Sequence, residues 1–271
     1  MIVQPRMASA VMLLRDLPAG QGIEVFMVRR VIQSDFMPNV YVFPGGSVSQ
    51  DDYAAETAEG VCAPVAPSPS DPEGYTAVGK GVRAAAIREL FEEAGVLLAY
   101  RDGEILSIPE VQVAHFDSYR QAFQQQQGSL EEMARAEKLT LATDCLGYIA
   151  HWITPEGMPK RFDTHFFITT APAEQLAAHD RLETSEGLWI APSEALASSE
   201  RGEFPLVFAT IHQLRELASF DSVAGALQHT ATQRVPVRMP VLVKEEDGSA
   251  HVYLQEDSGD TWEVPEHMRR R

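Results

Sequence analysis

The sequence predicts an α+β fold, a β-sheet flanked by helices, and three stretches carry that expectation. Residues 8–14 are a continuous apolar run suited to a buried strand, and residues 22–30, with Val25, Met27 and Val28, read as a second strand. Residues 40–43 form a short β-type run stopped by Pro44-Gly45-Gly46, where two glycines permit positive φ and let the backbone approach a ligand. Around Arg88-Glu89-Leu90-Phe91-Glu92-Glu93-Ala94-Gly95-Val96 the pattern turns helical. Ala86, Ile87, Leu90, Phe91, Ala94, Leu97 and Leu98 share one side of that helix, which can dock on a sheet.

Its other side is acidic. At about 100° per residue, Glu89, Glu92 and Glu93 fall within an arc of roughly 100°, a patch expected to stay open. Like charges so spaced cost a few tenths of a kcal/mol per pair. A divalent cation would reverse that sign, because clustered hard oxygens suit Mg²⁺ or Mn²⁺. In isolation such a cluster is more often a solvated helix face; the Gly-Gly bend upstream changes the reading.

Together these residues resemble the Nudix hydrolase family, whose box runs G-x5-E-x7-R-E-U-x-E-E-x-G-U with U apolar. Arg88 to Val96 match its second half at every fixed position, and Gly46 with Asp52 match G-x5-E with Asp for Glu. A second register, Gly74 with Lys80, has the spacing but puts lysine where an acid belongs. Between Asp52 and Arg88 lie 35 residues in place of seven. That insertion is similar to the Nudix branch that includes peroxisomal coenzyme A diphosphatases. Asp35-Phe36-Met37-Pro38 and Arg161-Phe162-Asp163-Thr164 with Phe166-Phe167 resemble the same branch. The L-x-x-R-S and G-Q-x-x-F-P-G-G signature of many coenzyme A diphosphatases is kept only in part, at residues 29–31 and 39–46.

The resemblance implies an α/β/α sandwich, a mixed β-sheet between helices with extra C-terminal helices. A Nudix domain would occupy residues 1–200, and a helical and hairpin extension, residues 201–271, would pack on it. By the same resemblance Glu92 and Glu93 bind Mg²⁺ or Mn²⁺, Glu89 is ligand or general base, and the Gly46 carbonyl adds an oxygen. Gly45 and Arg30 would meet substrate, and Arg88 would orient the acids or pair with Asp52. A further acid is expected before Trp189, from Glu183 or Glu186.

At 271 residues, 45% of them hydrophobic and 23% charged, the chain can bury a sizeable core. A net charge of −17 repels nucleic-acid polymers and anionic membranes. It would also repel a diphosphate, unless cations and local arginines reverse the field in a cleft. Cys62 and Cys145 lack paired metal spacing and read as free thiols in a reducing cytoplasm. The N-terminal stretch does not resemble a leader, and no apolar run approaches the ~18 residues of a membrane span, so a cytoplasmic protein is expected.

In chain order, residues 16–22 read as a turn, and Arg29-Arg30 close the second strand as candidate phosphate ligands. Residues 53–81 are rich in Pro, Ala and Ser and read as a surface insertion that resists helix and ladder, as a lid or passively. Residues 111–138 read as helical, with Val113, Phe116, Tyr119, Ala122 and Phe123 on one stripe and a fresh start at Gly128-Ser129. Residues 145–154 and 161–170 form a hairpin pair joined through Pro155 to Pro159. His151, His165 and His212 lack zinc-helix spacing and read as structural or surface residues. Residues 182–190 form a strand, Pro192 opens a helix, and residues 204–220 form an amphipathic helix that packs on the core or pairs subunits in a homodimer. Residues 239–243 and 251–254 suggest a last hairpin, with Arg269-Arg270-Arg271 as a tail.

The expected function is hydrolysis of a phosphoanhydride in a nucleoside diphosphate linked to another group: coenzyme A or acyl-CoA by resemblance, otherwise ADP-ribose, NADH or a nucleotide sugar. A catalytically silent nucleotide-binding sensor and a plain acidic interaction domain are the competing classes.

Overall fold

The computed structural model describes residues 3–18, 20, 22–31, 37–66, 80–180 and 184–265. Its central strand is β1 (Arg6–Asp16), which is apolar on both faces because both are covered: Val11 and Leu13 join one core cluster, Met12 and Leu14 the other. β2 (Ile23–Arg30) runs antiparallel to β1, while β3 (Tyr41–Val42) pairs antiparallel with β2 and β4 (Gly45–Ser47) pairs antiparallel with β1. The Pro-Gly-Gly bend therefore does not end the β structure; it moves the chain from one neighbour to another. Neither Gly45 nor Gly46 sits at positive φ, which corrects the expectation for these glycines.

α1 (Gln50–Thr57) starts at Ser49 with a capping box closed by Asp52. The tract expected to resist helix from residue 53 thus continues this helix to Thr57, and its Glu56 is buried. Residues 67–79, with most of the Pro-rich run and Gly74, lie outside the described residues. α2 (Val82–Ala94) carries the acidic motif, and Gly95 closes it in the left-handed conformation at φ 70°.

β5 (Ala99–Arg101), β6 (Glu104–Ile105) and, after α3 (Glu110–Gln124) and α4 (Leu130–Glu137), β7 (Thr140–Leu141) make a small three-stranded sheet. Phe116 and Phe123 of α3 are buried, but Val113 is exposed, so the stripe is narrower than expected. β8 (Gly147–Ile153) and β9 (Phe162–Thr170) form the expected antiparallel pair. β9 then lies parallel to β1 over nine residue pairs, which makes the sheet mixed. β10 (Thr184–Ile190) completes the β2 edge.

α5 (Pro192–Glu200) and α6 (Phe208–Leu217) follow, α6 shorter than expected because Pro205 precedes it. α7 (Val223–Thr232), capped by Ser222, packs on β8 and β9; extra C-terminal helices were expected, but none had been assigned to these residues. β11 (Val237–Arg238) joins β8, and β12 (Val241–Lys244), β13 (Ala250–Leu254) and β14 (Asp257–Glu263) form a C-terminal meander, one strand more than expected. α1 to α4 contribute to the core on the Val11 face and α5 to α7 to that on the Met12 face, which gives an α/β/α arrangement. Residues 266–271 lie outside the described residues. Among the described residues no helix is long and apolar enough to cross a membrane.

Candidate active site

α2 crosses β1 so that its acidic side meets β4 rather than bulk water. Glu93 is only 4% exposed, and one of its carboxylate oxygens, Oε2, accepts the Gly45 N–H at 3.0 Å. The patch expected to be open is therefore largely covered. Glycine at position 46 has a steric reason: a Cβ there would collide with the Glu89 carboxylate. At Gly45 a Cβ would strike the β1 backbone at Ser9 and Ala10.

Arg88 organises the acids. Nε and Nη2 grip the buried Asp52 carboxylate at 2.9 Å each, Nη1 reaches Glu89 at 2.7 Å and Glu92 at 3.0 Å, and Nη2 also reaches the Ser47 carbonyl at 2.9 Å. A guanidinium has five N–H groups and these are five bonds, so its donors are occupied by protein. Its neighbouring carboxylates hold the proton on Arg88 tightly, raising its pKa. Burial pushes the Glu89 carboxyl up to about 7; Arg88 opposes that shift and Glu92 adds to it.

Gly45, Gly46, Arg88, Glu89 and Glu92 share the lining of one cavity of about 830 Å³ with Arg30. Arg30 thus reaches it from the end of β2. Its neighbour Arg29 instead bonds Asn39 at 3.1 Å and lies over the Tyr41 ring. Glu186 accepts the Tyr41 hydroxyl at 2.7 Å and is not part of the cavity lining. Glu183 lies outside the described residues.

Glu89 and Glu92 bring hard carboxylate oxygens to the cavity, of the kind that suits a divalent cation, whereas Glu93 does not line it, and the three carboxylates do not converge on one point. Burial chiefly raises the Glu89 pKa, with the Glu92 charge adding to it, and a cation beside the carboxylate would oppose both.

Sequence reasoning missed Glu56. Its carboxylate accepts backbone N–H bonds from Lys80, Gly81, Arg83 and Ala84 at 2.6–3.2 Å, capping α2 from 24 or more residues away. The Ser49-x-x-Asp52 capping box was the available signal, since it predicts that residue 56 is helical. His151 and His165 also proved more connected than expected. His151 Nε2 lies 2.5 Å from Asp163, His165 Nδ1 lies 2.9 Å from the Tyr148 hydroxyl, and His165 Nε2 lies 3.8 Å from the same Asp163 carboxylate. Both cysteines are free thiols.

The family model for the NUDT19 Nudix domain matches residues 77–217, just over half of the chain. An acyl-coenzyme A diphosphatase NUDT19 of Xenopus laevis is 24% identical over 86% of this chain and 70% of its own length. The Gallus gallus protein of that name is 28% identical over 74% of this chain and 62% of its own length, so part of that relative has no counterpart here. A crystal structure of a NUDIX hydrolase from Alicyclobacillus acidocaldarius superposes with a TM-score of 0.67 at 25% identity, covering 83% of this chain and 96% of that one. With its box folded around one cavity, the chain belongs to the NUDT19 Nudix domain family and is a Nudix hydrolase.

Proposed function

We propose that the chain hydrolyses the phosphoanhydride of coenzyme A or an acyl-CoA in the presence of Mg²⁺ or Mn²⁺, giving 3′,5′-ADP and (acyl)phosphopantetheine. One observation carries the reading: Glu89 and Glu92 share a single cavity with Gly46 and Arg30, and Glu93 is pinned directly behind them. The names of the relatives from Xenopus laevis and Gallus gallus support the substrate.

Glu89, Glu92, Glu93 and the Gly46 carbonyl would hold the cation. When bound, it supplies charge neutralisation on the phosphate oxygens and a more acidic water. Arg88 keeps Glu89 and Glu92 in place through its own contacts with Asp52 and Ser47. Glu89 would serve either as one of these ligands or as the base that takes a proton from the attacking water. Arg30 neutralises a phosphate at the cavity wall.

The test is a panel of CoA, acyl-CoA, ADP-ribose, NADH and nucleotide sugars with each metal, using wild type and Glu93→Gln. A metal ligand is worth several kcal/mol, so the variant should lose on the order of 10²–10⁴-fold in kcat. Equal rates for the two proteins would remove the active-site assignment, and cleavage of ADP-ribose in preference to CoA would remove the substrate.

A further inference from the structure

The cavity does not end at the acidic helix. Its lining also includes Trp152, Phe166, Phe208, Val252, Trp262 and Val264, so an apolar wall stands in the same space as the Glu89 and Glu92 carboxylates. Three of these residues, Val252, Trp262 and Val264, lie beyond residue 217, where the family match stops. The C-terminal meander thus completes a cavity whose charged rim belongs to the Nudix box.

Trp152 adds a second observation. It is 4% exposed, lines the cavity, and its indole N–H is buried with no acceptor among the described residues. Most buried donors are paired, and an unpaired one is destabilising until an acceptor arrives. A carbonyl oxygen on a bound molecule would be that acceptor once the indole turns its shielded N–H toward the cavity.

Resting on the diphosphatase reading, we propose that Trp152, Phe208 and the meander residues Val252, Trp262 and Val264 form an acyl subsite, with Trp152 donating to the thioester carbonyl and the apolar wall taking a linear aliphatic chain. The chain selects its acyl group with a segment separate from the one that performs hydrolysis. Each methylene fully buried in such a wall is worth up to roughly fourfold in affinity.

The experiment measures kcat/KM of the full chain with Mg²⁺ for CoA, acetyl-CoA, octanoyl-CoA and palmitoyl-CoA, in wild type, Trp262→Ala, Trp262→Leu and Trp152→Phe. A parallel measurement follows binding of metal-free protein to octanoyl-CoA and to S-octyl-CoA, a thioether without the carbonyl. Wild type should prefer octanoyl-CoA to acetyl-CoA by at least roughly tenfold, and both Trp262 variants should flatten that preference. Trp152→Phe should weaken octanoyl-CoA binding roughly fivefold more than it weakens S-octyl-CoA binding, and equal weakening of the two would remove the hydrogen bond to the carbonyl. Thermal unfolding identifies a variant that fails to fold, and the Leu and Phe replacements keep most of the apolar volume. An unchanged chain-length preference in every folded variant, with CoA thioesters still hydrolysed, overturns the subsite and leaves the diphosphatase reading standing. Wild type that cleaves no CoA compound overturns both.

Discussion

Arg88 and Asp52, 36 positions apart in sequence, are joined by two parallel hydrogen bonds of 2.9 Å, and this clamp ties α1 to the acidic turn of α2. The same Asp52 carboxylate accepts the Ser49 N–H that starts α1. Asp52→Ala should therefore cost about 3 kcal/mol in urea unfolding, because it breaks a buried pair and a helix cap together. Asp52→Asn, which keeps the shape and loses the charge, should lower kcat with a smaller stability loss.

Glu56 holds the start of α2 through four backbone N–H groups. Glu56→Ala would orphan them and should destabilise the fold by about 3 kcal/mol or more. Hydrogen exchange at Gly81, Arg83 and Ala84 reads the effect directly: protection should fall there before it falls in β1. Unchanged exchange would remove the capping role.

Glu89 makes the metal-free protein pH-sensitive. Its carboxyl is held up at about 7 against an ordinary 4.5, chiefly by burial, so the native state keeps a proton that the unfolded chain releases. Stability from this group is complete below about pH 4.5 and is lost as the pH rises through 7. Saturating Mg²⁺ should restore it, so the metal-induced rise in Tm should be larger at pH 8 than at pH 5. A rise of equal size at both pH values would count against Glu89 as a ligand.

His165 acts in the opposite direction. Burial, with His151 beside it, holds its pKa down to about 3 against 6.5, although Asp163 favours the charged form. The unfolded chain takes up a proton that the native state refuses, so stability falls as the pH drops from about 6.5 towards 3. Subtracting the unfolding curve of His165→Gln from that of wild type isolates this contribution from Glu89. A flat difference between pH 6.5 and 4 would show that His165 titrates normally in the fold.

Much of the local structure was legible because its code is local. Residues 8–14 and 22–30 announced strands through apolar runs, Gly128-Ser129 announced a helix start, and the row Glu89, Glu92, Glu93 followed from helical spacing alone. α7 escaped notice although Ser222 was available as its cap, and the last strand of the meander escaped because polar residues dominate residues 255–261.

By itself the sequence determined which residue types could gather cations and on which helical face they stand, since the period of an α-helix suffices for that. Only the tertiary structure decided that Glu93 would be buried against Gly45, that Glu56 would cap a helix begun 26 residues later, and that Trp262 would share a cavity with Glu89. Those relations depend on sheet register and on chain segments far apart in sequence. Such long-range pairing is set when both faces of β1 are covered, and it leaves no periodic trace in the residues themselves.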